Sequence, residues 1–109
     1  MKRQRIALLG STGSIGVQTL DIVRENSALF EVTTLTAYKN WQLLAQQAVE
    51  FGVDSVVIAD SRYYEELKQA LASHPIKVYA GDDAVAQVAA DENVDVVVNA
   101  LVGYAGLLP

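Results

Sequence analysis

Three glycines spaced three residues apart stand near the start of this chain and indicate its fold more clearly than any other feature of the sequence. Gly10, Gly13 and Gly16 directly follow an apolar run at residues 6–9. Four apolar residues are too few for a helix core and suit a strand that is buried on both faces. Behind the glycines, apolar residues recur at helical spacing over residues 17–24. The stretch therefore predicts a strand, a glycine turn and a helix.

A turn of this kind is suited to binding phosphate. The N-terminus of a helix has unpaired N–H groups and a partial positive charge, which attract an anion. In such a turn Gly10 takes the tight bend, Gly13 leaves room for a pyrophosphate, and Gly16 lets the helix pack close to the strand. The hydroxyl residues between the glycines are Ser11, Thr12 and Ser14. They lack the partners of a catalytic triad, so we expect them to contact a phosphate, and the alternative is a strand-to-helix connection with no ligand.

Composition excludes several other classes of protein. The chain has 109 residues, of which 51% are hydrophobic and 19% charged, as suits a single α/β domain whose sheet is covered on both faces. A formal net charge of −5, with no basic stripe, argues against a nucleic-acid surface. The absence of cysteine rules out disulfides and thiolate metal sites. The apolar runs are too short to span a membrane, so we expect a cytoplasmic protein with no membrane partner.

Strands and helices alternate along the rest of the chain. Further strands are predicted at residues 31–37, 53–59, 76–80 and 94–100. Further helices are predicted from 41 to about 51, over 62–73 and from 82 to about 92. Asn40 and either Asp60 or Ser61 are suited to cap two of these helices, and Gly52 to end one of them. The pattern predicts one Rossmann-like domain over residues 1–109, a doubly wound parallel sheet in three α/β/α layers.

The end of the second predicted strand indicates which dinucleotide is preferred. Ligands of doubly wound sheets bind outside the carboxyl ends of the strands, and an NAD site places an acid at this position to hold the ribose 2′-hydroxyl. Residues 36–40 contain no acid, and Lys39 is a cation where a 2′-phosphate would need one, with Asn40 supplying amide donors. We therefore predict NADP rather than NAD. Lys39 could instead be a solvated lysine, and Tyr38 could stack on an adenine or only cover the loop.

The remaining polar residues predict neither catalysis nor a metal site. His74 is the single histidine and stands beside a proline in a turn, where we expect it on the surface. The acidic pairs at residues 82–83 and 91–92 lie at the two ends of a predicted helix, and no third ligand is near either pair.

Four segments together resemble one family of enzymes. They are residues 9–16, residues 19–21, residues 37–40 and residues 99–109, and they strongly resemble the N-terminal domain of the 1-deoxy-D-xylulose 5-phosphate reductoisomerase family. The glycine turn is shared with other reductases, including those that act on aspartyl semialdehyde. The terminal Gly-Tyr-Ala-Gly-Leu-Leu-Pro is much more distinctive.

This resemblance implies a function in isoprenoid precursor synthesis. Members isomerise and reduce 1-deoxy-D-xylulose 5-phosphate to 2-C-methyl-D-erythritol 4-phosphate with NADPH and a divalent metal (Mg²⁺, Mn²⁺ or Co²⁺), and similar full-length enzymes are homodimers. Carried over by position, the residues at the pyrophosphate are Thr12, Gly13, Ser14 and Ile15, and Gly10 and Gly16 shape that turn. The residues around the adenosine and its 2′-phosphate are Tyr38, Lys39 and Asn40. Ala100 and Leu101 lie beside the cofactor. At the position of Tyr38 the family often has a glycine or another small residue.

The resemblance also implies that the chain is a fragment. The family's metal-binding carboxylates, substrate-phosphate site, covering loop and C-terminal helical domain would follow Pro109, so we expect these 109 residues to bind NADPH without turnover. Two alternatives are the domain of another NADP-dependent reductase and a nucleotide-sensing module without catalysis.

Overall fold

Five strands form a single sheet in this computed structural model, which describes residues 3–90 and 94–100. The strands are β1 (Gln4–Leu9), β2 (Phe30–Ala37), β3 (Ser55–Ile58), β4 (Lys77–Ala80) and β5 (Val96–Asn99). The helices are α1 (Ser14–Glu25), α2 (Trp41–Phe51), α3 (Tyr64–Ala70) and α4 (Asp82–Ala89), and a 3₁₀ turn (Ser61–Tyr63) precedes α3.

The strand order confirms the predicted fold class. All neighbouring strands are parallel and follow the order β4-β3-β2-β1-β5. The chain first builds outward from β1 on one side and then returns to place β5 on the other. The order therefore reverses between β1 and β5, which is where doubly wound sheets bind their ligands.

The core lies on the face of the sheet covered by α1, α2 and α3. Leu8 of β1 and Leu35 of β2 are fully buried there, together with Leu20, Leu44 and Leu67 from the three helices. Residues of opposite parity along the strands face α4, which forms the third layer. As predicted, the apolar run of β1 is buried on both faces.

Three predicted helix boundaries are confirmed. The Leu43 N–H donates to the side-chain oxygen of Asn40 at 3.2 Å, which caps α2. Gly52 ends the same helix in the left-handed conformation, with φ of 60°. The carboxylate of Asp60 accepts a hydrogen bond from the Arg62 N–H at 3.1 Å and caps the 3₁₀ turn.

Other boundaries differ from the prediction because backbone hydrogen bonds across the fold replace local ones. The third strand begins at Ser55 instead of residue 53, since the Val53 N–H still bonds to the Ala48 carbonyl of α2. The predicted helix over 62–73 is a 3₁₀ turn and a shorter α3, followed by tight turns such as the one closed by His74 N–H and Leu71 O. The fourth helix ends at Ala89, and residues 91–93 lie outside the described part of the chain.

The fifth strand differs most from expectation. Five of its seven predicted residues are apolar, yet Val96 and Val97 are 37% and 38% exposed. The reason is its place in the sheet, because it pairs with β1 on one side and is the edge strand of the described residues on the other. Within residues 3–90 and 94–100, no helix has both the length and the apolar character needed to cross a membrane.

Candidate functional site

The glycine turn is attached to the end of β2 through its backbone. Gly10 has φ of 79°, a conformation that favours glycine, which confirms its place at the tight bend. Its N–H donates to the carbonyl oxygen of Thr36 at 3.0 Å and lies 3.1 Å from the Thr36 hydroxyl. The Ser11 N–H donates to the same carbonyl at 2.8 Å. The turn therefore has a set position relative to β2.

Ser11 faces the interior. It is fully buried, and its hydroxyl donates to the side-chain oxygen of Gln47 in α2 at 2.7 Å. The Gln47 amide nitrogen donates in return to the Ser11 carbonyl at 3.0 Å. This pair differs from the expectation that the Ser11 hydroxyl contacts a phosphate. A signal for it was present in the sequence, since Gln47 stands in the apolar stripe of α2 beside Leu44 and Ala48, where a buried amide needs a partner.

Gly16 is required by close packing, although against a different neighbour from the predicted strand. A Cβ built there would overlap the carbonyl oxygen of Gly10 and approach the Ser11 Cα and carbonyl carbon to 2.7 Å. The close neighbour is therefore the backbone of the turn itself.

Gly13 has no such packing requirement within the protein. A Cβ on Gly13 would be 3.8 Å from the Gly10 carbonyl oxygen, which is an ordinary contact. Gly13 is exposed and occupies the N-cap position of α1 without a side-chain cap. The first amide of α1 with a backbone acceptor in the described residues is that of Val17, which donates to Gly13. The amides of residues 14–16 therefore have no backbone acceptor among the described residues. Ser14 and Ile15 are exposed, and the open side of Gly13 lets an anion approach this end of the helix.

The loop over residues 38–40 lies beside this turn. It follows β2, whose Thr36 pairs with Leu9 at the end of β1. Tyr38 is 61% exposed, and the Lys39 ammonium lies 5.3 Å from the centre of its ring. No acid of the described residues forms an ion pair with Lys39. The side-chain oxygen of Asn40 is used in capping α2, which leaves its amide NH₂ group as a donor.

Arg62 is a second cation at this edge, where the order of elements along the sequence already predicts residues 59–62, although it predicts no role for Arg62. The Asp60 N–H donates to the Tyr38 carbonyl at 2.9 Å, so the end of β3 runs beside the Lys39 loop. Arg62 forms a two-pronged pair with Asp60, with nitrogen–oxygen distances of 3.0 and 2.8 Å. Hydrogen bonds from Arg62, with a smaller contribution from the charge of Lys39, lower the pKa of Asp60 to about 2. Asp60 in turn raises the pKa of Arg62 above its usual range.

The end of β5 completes the edge. The Ala100 N–H donates to the Leu9 carbonyl at 2.9 Å, which places Ala100 next to the start of the glycine turn. Leu101 lies outside the described residues. The structure thus brings the glycine turn, residues 38–40 and Ala100 to the carboxyl edge of the sheet, around the strand reversal.

Other candidate features lie elsewhere or lack ligands. His74 is exposed in its turn, as expected. In the part of the chain that the structure describes, no three His, Asp or Glu side chains are grouped so that they could hold a metal ion. A cavity of about 680 Å³ lies under α4 at the opposite end of the strands, lined by residues such as Thr34, Ser55 and Lys77.

The chain matches one protein family over nearly its whole length. The family model described as 1-deoxy-D-xylulose 5-phosphate reductoisomerase matches residues 6–109. A relative of that name from Phocaeicola vulgatus is 50% identical over 109 residues, which are all of this chain and 28% of the relative. The relative from Bacteroides thetaiotaomicron is 51% identical over 108 residues, or 99% of this chain and 28% of its own length. The chain therefore spans little more than a quarter of the length of these relatives.

Solved structures of the same name resemble this fold. The Zymomonas mobilis enzyme in complex with NADPH superposes with a TM-score of 0.78 at 39% identity, covering 81% of this chain and 23% of that one. A reductoisomerase in complex with magnesium superposes with a TM-score of 0.83 at 32% identity, covering 88% of this chain and 24% of that one.

Proposed function

The chain belongs to the 1-deoxy-D-xylulose 5-phosphate reductoisomerase family, and we propose that residues 1–109 form the NADPH-binding domain of such an enzyme. The observation that carries the proposal is the placement of two anion-binding features at one edge of the sheet. The open amides of residues 14–16 and the exposed Lys39 stand at the ends of the adjacent strands β1 and β2. A dinucleotide with a pyrophosphate and a 2′-phosphate has two anionic groups to match them.

The groups present suit this cofactor. The pyrophosphate would lie over Gly13 and accept hydrogen bonds from the amides of residues 14–16, with Thr12 and Ser14 beside it. Lys39 and the Asn40 amide would hold the 2′-phosphate. Tyr38 would cover the adenosine, and Ala100 and Leu101 would lie along the cofactor. NADPH supplies a hydride when it is bound, and the residues of this chain bind and orient it.

The whole protein would use this hydride in the reaction of its family. We propose that it isomerises and reduces 1-deoxy-D-xylulose 5-phosphate to 2-C-methyl-D-erythritol 4-phosphate, as a cytoplasmic homodimer in isoprenoid precursor synthesis. A divalent metal would take part. The described residues include no group suited to a metal, and the resemblance to the family implies that its ligands follow Pro109.

Family membership supports this function over the two alternatives, another NADP-dependent reductase and a nucleotide sensor. Calorimetric titration of the chain with NADPH, NADH and ATP tests it. We expect heat of binding with NADPH, a weaker response to NADH and none to ATP. Preferential binding of ATP would contradict the proposal, and so would turnover by these 109 residues alone.

A further inference from the structure

Gln47 joins the glycine turn to the helix that begins at the Lys39 loop. It is 6% exposed, and its side chain exchanges two hydrogen bonds with Ser11, one to the hydroxyl and one to the carbonyl. A carboxamide held at both its oxygen and its nitrogen has one orientation. The second residue of the glycine turn is therefore tied to a single point on α2.

The same helix begins at the other feature. Asn40 caps α2 and directly follows Lys39, and Gln47 lies seven positions further along, about two helical turns away. A helix of this length behaves as a rigid rod. The bond between Gln47 and Ser11 therefore relates the position of the Lys39 loop to that of the amides of residues 14–16.

A buried amide at this position is not required for packing. Its neighbours on α2, Leu44 and Ala48, are apolar and fully buried, so packing alone favours an apolar side chain at this position. A hydrogen-bonded pair restricts the geometry of the groups that it joins, and here it also satisfies the hydroxyl and the carbonyl of the buried Ser11. The physical consequence of the pair is thus to prevent α2 from sliding along the turn.

We propose that Gln47 is a positioning residue for dinucleotide binding, one that sets the separation between the pyrophosphate-binding amides and the 2′-phosphate-binding loop. The inference rests on the proposed function. A ligand that bridges both features depends on Gln47, and a ligand that uses only the Lys39 loop does not.

Gln47→Leu tests this, with Gln46→Leu as the matched control, because Gln46 is exposed on the same helix. NADPH bridges the two features, whereas adenosine 2′-monophosphate carries only the 2′-phosphate. For Gln47→Leu we expect about a tenfold loss of NADPH affinity by calorimetry, equivalent to ~1.4 kcal/mol. Adenosine 2′-monophosphate, followed by NMR shifts of the loop amides, should bind Gln47→Leu as it binds the wild type. The control should bind both ligands normally.

A second variant keeps the test decisive if Gln47→Leu does not fold. Ser11→Ala removes the hydroxyl bond and leaves the carbonyl bond, so we expect a smaller loss of NADPH affinity in the same direction. In the double variant Ser11→Ala/Gln47→Leu, the losses should be less than additive because the two residues act as one unit.

Three results would overturn the inference. Unchanged NADPH affinity in folded Gln47→Leu, or in Ser11→Ala if Gln47→Leu does not fold, would show that the pair does not position the site. Equal losses for NADPH and adenosine 2′-monophosphate would indicate general loosening of the fold. If the wild-type chain fails to bind NADPH, the proposed function falls together with the inference, whereas the first two results leave the proposed function intact.

Discussion

The glycine turn at residues 10–16 and the loop at residues 38–40 stand side by side but are built in opposite ways. The turn offers backbone amides and is held by buried contacts, with Ser11 bonded to Gln47 and Gly16 packed against Gly10. The loop offers exposed side chains, those of Tyr38, Lys39 and Asn40.

Because the two features are built differently, different substitutions separate folding from binding in each. Backbone amides have no side chain to remove, so most changes to the turn act through the packing that shapes it. Side chains of the loop can be removed without leaving a cavity. Four predictions test this contrast.

The largest effect is expected for Gly16→Ala. The added methyl group would meet the Gly10 carbonyl and the Ser11 backbone, neither of which can move without disturbing the end of β1. We expect a loss of about 3 kcal/mol in the free energy of unfolding, measured by urea denaturation. A stability equal to that of the wild type would show that the turn is less tightly built than the structure indicates.

Lys39→Ala should change binding and leave folding intact. Because the lost contact is charge-assisted, we expect NADPH affinity to fall about 10- to 100-fold, with little change for NADH. Lys68→Ala is the matched control, since Lys68 also lies over a tyrosine ring, that of Tyr64, at 5.5 Å. Equal losses for both cofactors in calorimetric titrations would remove Lys39 as the 2′-phosphate ligand.

Gly13→Ala should weaken both cofactors alike. Its Cβ has room within the protein but would project toward the expected pyrophosphate. We expect about a tenfold loss of affinity for NADPH and NADH, with a stability change of at most about 1 kcal/mol from the altered N-cap. A loss confined to NADPH would place the pyrophosphate elsewhere.

The smallest effect concerns the acid beside the loop. Arg62 lowers the pKa of Asp60 in the folded chain from 3.8 to about 2. The ionised Asp60 carboxylate therefore contributes its full share of stability above its unfolded pKa, and this share is lost as the pH falls through its folded pKa. The midpoint temperature of thermal unfolding should be slightly lower for Asp60→Asn than for the wild type at pH 7, and the two midpoints should converge near pH 2. Asp54→Asn, at an exposed acid outside the site, is the control, and a gap that persists at pH 2 would contradict the assignment.

The glycine turn and the alternation of elements were predictable because their signals are local. The strand before Gly10, the cap at Asn40 and the end at Gly52 each depend on residues within one helical turn of them. The exposure of Val96 and Val97 was not predictable in this way, since among the described residues β5 pairs with β1 alone and its own sequence does not indicate that.

The sequence by itself therefore determined the turn and the ends of α2 at Asn40 and Gly52, and it shows that no acid stands at the end of β2. Only the folded chain shows that the Ser11 hydroxyl is bonded to Gln47 and that Asp60 is bonded to the Tyr38 carbonyl of the Lys39 loop. The physical reason is sequence separation: Ser11 meets Gln47 across 36 residues, and Asp60 meets Tyr38 across two strands that pair only when the sheet has formed. The secondary-structure propensities of neighbouring residues do not predict such a contact.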